Sequence, residues 1–144
     1  MPPRVRLIIL RLGGILLVAL GVLHLAVTPI IARMLERGAA SDAVVWLKPP
    51  MLLNHVVVGV LLLPLGSLVW YCAPYAARGA RWALVVSRTV AVAIATLPVI
   101  LFFCMNLRKN DALPFRIAIG IVCAASLLLL VVAFWPAPAS PARA

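Results

Sequence analysis

Two histidines are the residues of this sequence best equipped for chemistry. His24 and His55 each stand inside a long apolar run, where an ionisable side chain is by default a functional candidate. Thr28, Met51 and Asn54 lie within one helical turn of one or the other. Cys104 and Met105 stand at the matching end of a third run. Imidazole, thiolate and thioether together are ligands for copper, zinc or haem iron.

Three readings of this set compete. In the first, His24 hydrogen-bonds to Asn54 or His55 and fixes the register of two helices, as polar side chains commonly do in membranes. In the second, the histidines ligate a metal, with copper or a b-type haem as the cofactor. No HxxxH, HxxM or CxxC spacing supports it. In the third, His55 or Asn54 hydrogen-bonds a quinone carbonyl or a lipid beside Phe102 and Phe103.

The elements that carry these residues are helices. Gly14, Gly21, His24 and Thr28 are spaced by seven, three and four, so they form one stripe on a helix. His55, Gly59 and Gly66, spaced by four and seven, form another. With the two helices antiparallel, one register sets Gly14 opposite Gly66, Gly21 opposite Gly59 and His24 opposite His55. Thr28 then meets Met51 or Leu52. Small residues let membrane helices approach closely, so these four glycines are the expected contact. A contact this close argues against a porphyrin between the two helices.

Composition says what surrounds those helices. Of 144 residues, 66% are hydrophobic and 11% are charged. Soluble domains run at about 45–50% and 25%. A soluble chain this short could not hide so much apolar surface, and the mean hydropathy is +1.19. A soluble enzyme, a disordered tail and a disulfide scaffold are excluded. Cys72, Cys104 and Cys123 are odd in number and form no framework.

A spanning helix needs about 20 apolar residues, and four runs reach that length: 7–31, 51–71, 82–107 and 114–135. The first is longer than the h-region of a signal peptide and is read as a retained span. The expected fold is therefore all-α, an integral membrane bundle of four transmembrane helices, antiparallel and up-down. It forms one domain over 1–135, followed by a Pro- and Ala-rich tail over 136–144. Glu36, Asp42 and Asp111 all lie outside the four runs, although Asp and Glu are the usual intramembrane proton relays. That weakens a proton-coupled carrier.

The formal charge is +10, with arginine supplying eleven of the thirteen basic residues. The basic residues sit mainly at the ends of the apolar runs, the placement of topology signals and lipid contacts rather than of nucleic-acid binding. Arg4, Arg6 and Arg11 open the first run and place both termini in the cytoplasm. Trp70, Tyr71, Trp82 and Trp135 then mark the inner interface. Arg88 lies six residues into the third run. It either snorkels or pairs with a lipid phosphate or a partner's acid, and Arg116 occupies a similar place in the fourth.

No Ser/His/Asp set, Gly-rich phosphate loop or carboxylate pair is present. The expected role is a non-enzymatic accessory, assembly or scaffolding subunit of a bacterial inner membrane. Its partners are membrane lipids, other integral membrane subunits or further copies of itself. A metal- or haem-binding redox protein using His24 and His55, and a small carrier or lipid- or quinone-binding protein, are the alternatives.

Overall fold

The computed structural model describes residues 1–37, 42–104 and 113–136, and among them the chain is helical throughout, without strands. The helices are α1 (Pro3–Arg37), α2 (Asp42–Ala77), α3 (Arg81–Cys104) and α4 (Leu113–Phe134). The tail beyond 136, Met105 and Asp111 lie outside the described residues.

Three helices are long and apolar enough to cross a membrane: Pro3–Arg37, Val45–Ala77 and Arg81–Ile100. The described apolar stretch of α4 runs Gly120–Phe134. At 1.5 Å per residue, the 35 residues of α1 extend about 52 Å, well past a hydrocarbon core of about 30 Å. Its polar end, Arg33 to Arg37, therefore lies beyond the apolar run. Pro3 suits the first helical position, where the missing N–H is not needed.

α1 and α2 run past their apolar segments at both ends. The stretch from Val45 to Pro50, which precedes the second apolar run, is continuous with α2. Pro49 and Pro50 lie one turn past its first turn, so the carbonyls four residues earlier, of Val45 and Trp46, lose their helical donors.

Two compact units divide the chain: residues 15–67, and residues 1–14 with 68–144. In the first, Leu17 and Leu62 are buried together with Gly21 and Gly59. In the second, α3 packs against α4. Small residues dominate that core: Ala73, Ala76, Ala83, Ala91 and Ala133 are almost fully buried, with Val69, Ile94 and Leu129 filling the remaining space. Small side chains allow close helix approach where apolar burial offers no gain over lipid. The described hydroxyls of Ser67, Thr89, Thr96 and Ser126 donate to carbonyls of their own helices, which satisfies them without water.

The α2–α3 turn ends α2 through glycine. Gly79 has φ +84°, the left-handed region. Its N–H donates to the Ala76 carbonyl at 3.1 Å, and the Ala80 N–H donates to the Tyr75 carbonyl at 3.0 Å, a Schellman motif. A Cβ there meets nothing within 4 Å, so any substitution cost is conformational. Gly79→Ala is expected to cost about 1 kcal/mol in equilibrium unfolding, and Gly79→Asn less. Equal cost for Ala and Asn would refute that account.

Candidate functional site

The polar cluster of α1 and α2 is built on two glycines. A Cβ placed on Gly21 would stand 2.8 Å from the Gly59 carbonyl oxygen, and one on Gly59 would stand 3.1 Å from the Gly21 carbonyl oxygen and 2.9 Å from Leu25 Cγ. The two backbones are in direct contact, which only residues without side chains permit. Gly14 belongs to one compact unit and Gly66 to the other.

One turn along from the glycines, the rings of His24 and His55 stack with centroids 4.6 Å apart and planes inclined by 30°. Thr28 bridges them. Its hydroxyl lies 2.7 Å from the His24 carbonyl and 3.0 Å from His55 Nδ1. Sequence spacing sets Thr28 opposite Met51 or Leu52; in the structure its hydroxyl reaches His55, because the glycine contact brings the backbones close enough for the ring to span the gap.

Hydrogen-bond chemistry assigns the ring protons. A carbonyl only accepts, so the hydroxyl proton of Thr28 points at His24 O, and the oxygen then accepts from His55 Nδ1–H. His24 Nδ1 lies 3.0 Å from the Leu20 carbonyl and must donate to it. Each Nδ1 therefore carries a hydrogen, and in a neutral ring the Nε2 lone pair is then free. Metal-ligating histidines are held in this way, with one nitrogen donating to a fixed acceptor.

The close approach of the two rings limits what can sit between them. Rings in contact leave no room for a porphyrin between them. Each Nε2 can offer one bond to a ligand. Among the described residues no three His, Cys, Asp or Glu side chains come together. Met51 and Asn54 are exposed on α2, and Met51 sits one turn before His55. Cys104 closes α3 and Arg116 lies in the first turn of α4, with side chains outside the described set; Met105 lies outside it altogether.

Where the two helices leave their apolar runs, Lys48 Nζ donates to Glu36 Oε1 at 2.6 Å. That hydrogen bond and the ammonium charge hold the Glu36 carboxyl below its ordinary value, and Arg33 adds to the effect. A depressed carboxylate pKa means that the ion pair stabilises above the ordinary value of 4.5 and that its contribution is lost as pH falls through the lowered one. Both groups are partly exposed, so the effect is small and screened by salt. In a carboxyl NMR titration, Lys48→Gln is expected to raise the Glu36 midpoint towards its ordinary value. An unmoved midpoint would show that the pair does not form.

A second polar cluster, which sequence reasoning did not assemble, lies at the end of α4. Arg88 Nε donates to the Ala133 carbonyl at 3.1 Å, and its guanidinium lies 5.4 Å from the centre of the Phe134 ring. Arg88 therefore turns to a helix end rather than only snorkelling. Arg6 donates through Nη2 to the Trp135 carbonyl and is only 2% exposed. Arginines favour helix C-termini, where carbonyls lack donors and the helix dipole is negative. Nothing in the spacing of Arg4, Arg6 and Arg11 distinguishes the buried one; only packing does. Arg11 lies over the Trp70 ring at 5.4 Å. Tyr75 touches Trp82 at 5.1 Å and receives Arg78 on its face at the same distance. These are contacts typical of rings with one apolar and one wet side.

No family model, curated protein or solved structure matches the chain.

Proposed function

We propose that this chain is a four-span, antiparallel protein of a bacterial inner membrane, with both termini cytoplasmic. Its role is that of a non-enzymatic accessory or scaffolding subunit. The observation that carries this reading is the contrast between its polar and apolar groups. The hydroxyl of Thr28 and the Nδ1 atoms of both histidines are used in bonds within α1 and α2. By contrast, Ile8, Ile15, Val22, Leu23 and Ile30 of α1 are all more than half exposed. Such a surface is suited to lipid and to other membrane helices.

Native mass spectrometry of the gently extracted protein tests it. The expected result is a stoichiometric complex with another integral membrane subunit that dissociates in Leu23→Trp while the chain stays in the membrane. A bare monomer with an unchanged Leu23→Trp variant would refute it.

A second reading, a metal-binding redox protein, is supported by the two free Nε2 lone pairs. Copper held by His55 with Met51, or by His24, fits the donor chemistry. Metal analysis of the purified chain, with His24→Ala and His55→Ala, tests it. Metal that disappears in one variant would favour this reading over the first, and its absence from the intact chain would remove it.

A further inference from the structure

We infer that Arg6 and Arg88 form a binding site for one phosphate oxyanion at the end of α4. The inference rests on membrane insertion of the chain and not on the accessory role.

Each arginine has more donors than the helix end uses. A guanidinium carries five N–H groups in a rigid fork. Arg6 spends one nitrogen on the Trp135 carbonyl, while its Nε and Nη1 are shielded from solvent and have no partner. Shielded donors without acceptors are costly, more so on a charged group. Capping α4 therefore explains only part of what Arg6 presents.

The charge is unbalanced as well. Arg6 and Arg88 bond carbonyls only two residues apart at the end of α4, and no acidic residue among the described residues of this unit stands against either. Two like charges in low dielectric call for an anion. Ser87, one residue before Arg88, is 2% exposed. It is the one described Ser or Thr whose buried hydroxyl lacks a hydrogen-bond partner.

Phosphate fits this donor set. Its oxygens accept several charge-assisted bonds at once and match the arginine fork. Arg88 is partly exposed and is the side a headgroup can approach, while Arg6 is buried. Trp135 beside it is 44% exposed, a ring suited to the level of lipid headgroups. A phospholipid headgroup and free phosphate share this chemistry.

The test uses the full chain in maltoside micelles with phosphatidylglycerol, read by native mass spectrometry. One lipid retained per chain is expected, with retention falling about tenfold in R6Q/R88Q, as for loss of a charge-assisted fork. R4Q/R78Q removes the same charge from exposed positions and is expected to retain lipid like the parent. R88Q alone and R6K are measured beside it, because R6Q can fail to fold. R88Q is expected to weaken retention, and R6K to restore part of it. Excess inorganic phosphate that displaces the lipid would identify free phosphate as a competent occupant, and lipid that resists it would identify the headgroup; both support the site. No retention by the parent chain, or equal retention in R6Q/R88Q and R4Q/R78Q, overturns it.

Discussion

Gly21→Leu is expected to separate α1 from α2 between residues 15 and 67 and to cost roughly 1–3 kcal/mol, the range for overpacking a filled contact. The reason is the identity of the neighbours. Even the first carbon of a side chain would stand 2.8 Å from a backbone oxygen and 3.2 Å from Leu62 Cβ, neither of which can rotate away. Because the histidine stack sits one turn from this contact, separation also breaks the Thr28–His55 hydrogen bond. Reversible unfolding in mixed micelles gives the energy, and the ring nitrogen shifts of His55 report the bond. Gly120→Ala is the control, since a Cβ there meets nothing within 4 Å. It is expected to be neutral or slightly stabilising. Equal stability of the parent chain and Gly21→Leu would mean that the glycine contact does not hold the two helices.

Thr28→Val keeps the shape of the side chain and deletes the hydroxyl. It leaves His55 Nδ1–H without an acceptor, while the His24 carbonyl keeps its place in the helix ladder. Interhelical hydrogen bonds in membranes average about 0.6 kcal/mol and reach about 1.7. A buried donor left unpaired belongs in the upper part of that range, so the expected loss is about 1 kcal/mol. A cycle with His55→Phe isolates the pair: Thr28→Val is expected to cost little once the imidazole is gone. Thr28→Ser retains the hydroxyl and is expected to keep the His55 Nδ1 proton in place. Full additivity in the cycle would show that the bridge carries no energy.

The histidine and arginine clusters differ in how far they could be read beforehand. The stripe Gly14, Gly21, His24, Thr28 is local to one helix, and helical periodicity converts its spacing directly into a face. The same holds for His55, Gly59 and Gly66. The identity of the residues that meet was therefore legible as a hypothesis, since small and polar groups on an apolar helix have few favourable neighbours other than one another. The hydrogen bond between Thr28 and His55 was not legible, because spacing gives the order along a helix but not the distance between two of them. That distance comes from the direct contact of the Gly21 and Gly59 backbones.

Arg6 was not legible at all. It lies with Arg4 and Arg11 in one basic segment, and all three read as headgroup charges. Its burial depends on the end of α4, 129 positions later in the chain, where the Trp135 carbonyl needs a donor. No local period encodes such a pairing. The sequence by itself determined that the chain is helical, that its helices are apolar enough to span a membrane, and which faces of α1 and α2 carry polar groups. Those properties follow from composition and from the 3.6-residue repeat. Only the tertiary structure decided which nitrogen of each histidine is free, which arginine is buried and which carbonyl it meets. These depend on distances between segments far apart in the chain, and packing alone sets such distances.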